Sequence, residues 1–202
     1  TVNTLGFDRT DAGAASRITA DVDFRITCRG DRIGFGLDGC ADGFSMIFLN
    51  TSRYGTTGAP PAFDEAGRQV LPGVTDSFAV GFSVFDPGFG ADFPINRVWI
   101  TYNNAIRGSV LIDRAILDLA TGARQTPGGF LHLFVDLVLN GPTPNVTVRI
   151  SNGTRTVTPY NNFSLAAAVG LGPHESRLGF GTRSGDVGIA VDLDNINIQY
   201  QP

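Results

Sequence analysis

The clearest pattern in the chain runs from Arg17 to Cys28. Ile18, Ala20, Val22, Phe24 and Ile26 alternate with Arg17, Thr19, Asp21, Asp23, Arg25 and Thr27. A period of two predicts a strand with one buried face and one wet face. The stretch Cys40 to Leu49, CADGFSMIFL, departs from that pattern. On an extended chain Phe44, Met46 and Phe48 point one way and Ile47 and Leu49 the other, so both faces are apolar. That predicts a central strand of a layered β structure, covered on both sides. Ser77 to Phe85 puts Phe78, Val80, Phe82 and Val84 in one stripe and the small Ala79, Gly81 and Ser83 opposite. A small-residue face suits a close-packed backbone or the floor of a groove.

Further strands are predicted at Asn96–Tyr102, Ser109–Leu119, Phe130–Leu139, Val146–Ile150, Arg155–Thr158, Arg177–Thr182 and Gly188–Tyr200. Trp99 stands apart from Val98, Ile100 and Tyr102, either as packing or as a ligand platform. Asn152-Gly153 is a hairpin signal. Asn195 interrupts the alternation of the last strand and marks a bulge. Thr1 to Ser16 reads as polar turns anchored by Leu5 and Phe7. Phe163 to Val169 suits one or two helical turns. Asn50 to Thr75 is a long irregular stretch, and a loop of that length in a compact domain is usually functional or mobile.

The 26 Gly and 15 Phe, with few helix-forming runs, point to an all-β chain. Residues 1–202 form a single domain on this view, a jelly-roll β-sandwich of two antiparallel sheets. The apolar share of 42% places it among globular chains, and no apolar run is long enough for a helical membrane span. The net charge is −4 with no basic stripe, which argues against nucleic acid as a partner. Every basic residue is Arg; there is no Lys.

Carboxylate usage bears on catalysis. A glycosidase needs two acids held about 5–10 Å apart. The only Glu are Glu65 and Glu175, both in predicted loops. The Asp21/Asp23 and Asp192/Asp194 pairs alternate with apolar residues and read as solvated faces. No GxSxG elbow is present. His132 reads as a satisfied sheet histidine, and His174 beside Glu175 is the one remaining acid–base candidate. A non-enzymatic role is therefore expected.

Cys28 and Cys40 flank a short Gly-rich segment, and a bridge between them would stabilise by about 3 kcal/mol on the chain-entropy model. Their lone spacing is wrong for zinc. A disulfide implies an oxidising compartment, and a start at Thr1 is what a cleaved, exported chain or an excised domain would show. Asn50, Asn145, Asn152 and Asn162 each head an N-x-S/T sequon, in keeping with export. The Arg29-Gly30-Asp31 tripeptide is an ordinary turn composition.

One charge, Asp42, sits at the mouth of the doubly apolar strand. It caps its own turn or presents a carboxylate to a ligand, and the pattern alone leaves both open. The segments ADGFSMIFL, SFAVGFSVF, NRVWITYN, FLHLFVDLVLNGPTPNVTVRI and SRLGFGTRSGD, in that order, resemble the strands of an L-type (legume-lectin-like) concanavalin A-like domain. The resemblance covers roughly Arg17 to Tyr200. It implies that Asp42 bonds sugar hydroxyls with Gly43 beside it. It also implies that the loop from Tyr54 and Gly55 to Gly58 offers a backbone donor, and that Arg183, Ser184 and Asp186 line the site. An aromatic from Tyr54, Phe89 or Trp99 would stack on the sugar.

The family's paired metal ligands fall on Gly81 and Ser83, and its histidine on Arg97, so the double metal site is expected to be missing. Asp86, Asp92 and Asn96 remain as oxygen donors of the type that suits calcium, as does the Asp192–Asp194 pair. The expected function is a secreted or cell-surface carbohydrate-binding domain whose partners are glycans or polysaccharide. The alternative is a structural or adhesive subunit that associates with copies of itself or other extracellular chains; a polysaccharide-cleaving enzyme ranks last.

Overall fold

The computed structural model describes residues 2–29, 43–60, 74–84, 96–121, 129–183 and 188–202, which fold as two sheets packed face to face. The first sheet holds β1 (Val2–Gly6), β11 (Ser176–Arg183), β3 (Gly43–Asn50), β4 (Phe78–Ser83), β5 (Arg97–Tyr102) and β6 (Ala105–Leu111), in that spatial order. The second holds β10 (Thr156–Ser164), β9 (Asn145–Ser151), β8 (Leu131–Val138), β2 (Arg17–Arg29) and β12 (Gly188–Gln201). These pairs are all antiparallel; the two-residue β7 (Ala120–Thr121) adds a parallel pairing to β2. A single helical turn, α1 (Thr51–Tyr54), follows β3 and is capped by the Asn50 side chain.

As its pattern requires, β3 lies inside its sheet between β11 and β4 and is buried on both faces. Inward, Phe44 and Phe82 stack with centroids 4.8 Å apart, and Phe24 of the opposite sheet closes the trio at 5.0 and 5.2 Å. Each such ring taken out of water contributes about 1.5–3 kcal/mol. Outward, Ile47, Leu49 and Ala79 form a second small cluster with Val74 and Tyr54. The sheets are also tied by a polar contact. The buried Tyr160 hydroxyl of β10 donates to the Val98 carbonyl of β5 at 3.0 Å, and burial raises its pKa well above the ordinary phenol value. The ring fits because Gly108 has no Cβ; one built there would stand 2.8 Å from it.

Three expected elements come out differently. Ser109–Leu119 is not one strand: β6 ends at Leu111, and Asp113 turns the chain by accepting from the Ala115 amide at 2.8 Å. β6 instead begins at a tight hairpin on Asn103 and Asn104, both at positive φ, a conformation Asn tolerates better than most residues. Phe163–Val169 is not helical. Phe163 and Ser164 finish β10, and Leu165, Ala168 and Leu171 form successive turns. Thr1–Ser16 contributes an edge strand, β1, on which Leu5 stays 48% exposed, so it anchors little. The bulge expected at Asn195 is present as a register shift between Asp194 and Asn197.

Among the described residues Arg177 is the largest fully buried side chain. It stands opposite Leu49 across the β11–β3 pair. Its Nη1 donates to the Gly58 carbonyl at 2.7 Å and its Nη2 to the Tyr54 carbonyl at 3.0 Å, so one guanidinium fastens the segment that leaves α1. Replacing Arg177 with Met is expected to cost about 2–4 kcal/mol in urea unfolding, because two carbonyls lose a charged donor. Arg177→Lys should recover only part of that, since an ammonium cannot bridge both oxygens as a planar fork does.

Candidate functional site

Strand register sorts the expected site residues by position. Arg183 pairs with Gly43, Gly43 with Ser83 and Ser83 with Arg97, so these four form one row across the first sheet at the mouth of β3. The Ser83 and Arg97 side chains of this row point away from the sandwich core, since Phe44, Phe82 and Val98 of the next row point into it. The following outward row runs Gly181, Ser45, Gly81, Trp99, Ser109. The Ala79–Gly81–Ser83 side is therefore a floor of small residues bounded by Arg97 and Trp99.

Gly43 is fixed in place by geometry. Its φ is +145°, and a Cβ would lie 1.8 Å from the Phe82 carbonyl oxygen. No other residue fits there without moving β4, so the chain enters β3 in one way only. Trp99 is packed rather than displayed, at 7% exposure, with the Arg97 guanidinium carbon 5.0 Å from its ring centre.

Two of the expected contacts are not brought to this end. Tyr54 and Gly55 lie beyond Asn50; seven residue steps of about 3.4 Å put Asn50 roughly 24 Å from Gly43. Tyr54 is engaged there, its hydroxyl accepting from the Thr75 amide at 2.9 Å. The motif order placed Tyr54 and Gly55 near Asp42, but α1 begins where β3 ends, at the opposite rim. Asn96 is at the right end yet already committed. It is 2% exposed, donates to the Ile112 and Leu117 carbonyls at 3.2 and 2.6 Å, and accepts from the Leu119 amide at 2.8 Å. Those bonds make it the anchor of the 112–119 turn, with little left for a sugar or a metal. Asp42, Asp86, Phe89, Asp92, Ser184, Asp186 and Cys40 lie outside the described residues, as does Glu65.

No family model and no curated protein sequence matches the chain. Solved structures do. The exoplasmic/lumenal domain of VIP36 in its Ca2+/Man-bound form aligns with TM-score 0.57 at 11% identity, over 98% of this chain and 82% of that one. Lectin II from Ulex europaeus aligns with TM-score 0.51 at 12% identity, over 100% and 93%. The Bauhinia forficata lectin in complex with GalNAc aligns with TM-score 0.50 at 10% identity, over 98% and 78%. The fold is that of the L-type lectins.

Within that lectin fold the positions expected for the paired metal ligands, Gly81 and Ser83, offer no carboxylate, and Arg97 brings a cation of its own. A divalent ion needs anionic oxygens, so this part of the lectin sheet does not fit one. No group of three potential metal ligands occurs among the described residues. Asp192 is paired with Arg25 at 2.8 Å, and Asp194 accepts from the Asn195 amide at 2.8 Å, so that pair serves the sheet. The acid–base candidates are not assembled either. Glu175 accepts from the Thr51 hydroxyl at 2.9 Å and the Gly13 amide at 3.2 Å, while His174 Nδ1 lies 2.7 Å from the Gly172 carbonyl.

The outer face of the second sheet carries a different polar cluster. His132 lies between two carboxylates, Nδ1 2.8 Å from Asp23 and Nε2 3.1 Å from Asp21. It borders a hollow of about 420 Å³ with Phe134, Arg149, Ser151 and Thr156. The Asn195 side-chain Nδ2 donates to Asp23 at 2.7 Å. That bond, helped by His132 against the opposing effect of burial, holds the Asp23 carboxyl below its ordinary pKa. A depressed carboxyl stabilises the fold above its unfolded value, about 3.9, and the contribution fades as pH falls through the folded value. Asp23→Asn is expected to lower the melting temperature at pH 7, with the gap from wild type closing below about pH 4. Melting curves across that range check it.

Proposed function

We propose that the chain is a secreted carbohydrate-binding domain whose sugar site lies at the Gly43 end of the first sheet. Asp42 would orient the sugar hydroxyls, with Gly43, Phe89, Arg183, Ser184 and Asp186 completing the site; Tyr54, Gly55 and Asn96 have no part in it. The observation that carries this reading is alignment with solved lectins over nearly the whole chain. The enforced backbone at Gly43, directly after the acid, supports it. No metal is assigned, since Asn96 is spent and only Asp86 and Asp92 remain of the loop donors. We assign a Cys28–Cys40 bridge, in keeping with Cys28 being buried and no free cysteine occurring among the described residues. Of the sequons, Asn152 and Asn162 are exposed and fit a glycan best, whereas the Asn50 side chain caps α1.

A glycan array tests the site. Wild type should bind a restricted set of glycans and Asp42→Ala should lose roughly tenfold or more, as expected when a charged acceptor is removed. Unchanged binding by the variant would remove Asp42 from the site.

One observation favours the alternative of a structural or adhesive subunit. Ile106 and Leu111 are 46% and 54% exposed on β6, an edge strand. Self-association through that edge predicts a concentration-dependent rise in mass by light scattering that Ile106→Lys abolishes. A monomer at high concentration rejects it.

A further inference from the structure

The outer face of the second sheet spends most of its charges on one another. Arg17 meets both oxygens of Asp136 at 2.8 and 2.9 Å, and Arg25 meets Asp192 at 2.8 Å. Asp23 is taken by His132 and Asn195. Arg149 is different: it is exposed, and no carboxylate pairs with it among the described residues. Its guanidinium carbon lies over the Phe134 ring, 4.3 Å from the centre. That contact uses the flat face of the guanidinium and leaves its N–H edge free for a guest.

Register gathers these groups around the hollow of about 420 Å³. Asp21, Phe134 and Arg149 stand side by side on β2, β8 and β9, with His132, Ser151 and Thr156 in the next outward row on β8, β9 and β10. Ser151 is the short residue between taller neighbours and forms the floor; its hydroxyl is used locally, donating to the Arg155 carbonyl and accepting from the Gly153 amide. The volume falls in the range of small-molecule sites, about 300–1,000 Å³. The hollow is open to solvent, since Arg149 and Thr156 are exposed and the His132 and Asp21 side chains are 52% and 38% exposed. Its His132 wall is held at both ring nitrogens by Asp23 and Asp21, so little is lost in ordering it around a guest.

The chemistry of the lining narrows what fits. The Asp21 carboxylate accepts from hydroxyls, the Arg149 fork donates to hydroxyl oxygens, and the Thr156 hydroxyl does either. An anion would meet Asp21 with Asp23 beside it, and a cation would meet Arg149. A neutral polyol suits all three groups. Asp21 and Arg149 are two strands apart, so at about 4.8 Å per strand a guest that reaches both is roughly 10 Å long, nearer a disaccharide than a single ring.

We propose that this hollow is a second saccharide site, on the outer face of the second sheet, for neutral oligosaccharides longer than one ring. It shares no residue with the site at the Gly43 end and does not rest on it. Asp21, Arg149 and Thr156 bind the guest; His132 positions Asp21, and Phe134 positions Arg149.

The test probes the Asp42→Ala chain on an array of neutral and charged glycans. Expected is retention of a set of neutral oligosaccharides. In that background Arg149→Gln should weaken their binding roughly tenfold or more, and Thr156→Trp, which fills the hollow from an exposed edge strand, should abolish it. Both replaced side chains are exposed, so melting temperatures should stay near that of the parent chain. With Asp42 intact, the same two changes should leave untouched whatever binding depends on Asp42. An Asp42→Ala chain that binds no neutral glycan, or whose remaining binding is indifferent to Arg149→Gln and Thr156→Trp, overturns the second site; wild-type binding lost in Asp42→Ala leaves the reading at the Gly43 end standing. Binding that Arg149→Gln and Thr156→Trp remove but Asp42→Ala does not touch supports the hollow and overturns the Asp42 site instead. A wild-type chain that binds no arrayed glycan overturns both.

Discussion

A strand with no wet face has to be covered twice, and β3 imposes that demand on the molecule. Its inward phenylalanine meets β2 through the Phe24–Phe44–Phe82 trio, which sets the spacing of the two sheets. Its outward Ile47 and Leu49 call for a second, smaller apolar layer, to which Val74 and Tyr54 contribute. A central strand buried on both sides also fixes its own register, because a slip of one residue would exchange the phenylalanine face for the smaller one. The mouth of β3 therefore falls at a defined place, and Gly43 fixes the direction in which the chain enters it.

Much of this was legible from side-chain alternation. Arg17–Cys28 and Cys40–Leu49 carry long, unambiguous patterns, and both form strands close to their expected limits. The Asn152-Gly153 hairpin and the Asn195 bulge were visible because Asn and Gly mark unusual backbone geometry. Failures occurred where pattern and turn chemistry competed. Leu117 and Leu119 are buried and looked like strand, but they pack beneath a turn held by Asn96 and Asp113. The alanine run after Ser164 favours helix intrinsically, yet it is too short to nucleate one.

The site was legible in part. Motif order placed Gly43 at a strand mouth, where β3 begins, and register adds Ser83, Arg97 and Arg183 to the same row. Motif order could not say that Tyr54 and Gly55 leave the sheet at the far rim, since that depends on where β3 stops. Nor could it show that Asn96 spends its amide on three backbone groups, a fact that exists only once residues 112–119 have turned back. The pairing of Arg97 with Trp99 had a faint signal in the i, i+2 spacing of a strand.

The bulge at Asn195 has a consequence for how such a domain behaves when crowded. β12 is the outermost strand of the second sheet and, at fourteen residues, the longest of the strands described. A straight border of that length is a template on which any stray extended peptide can zip itself up. The kink at Asn195 cuts the template into two short, mutually twisted runs, so an intruding chain would fall out of step partway along. A lone asparagine thus works against strand-by-strand addition along that border.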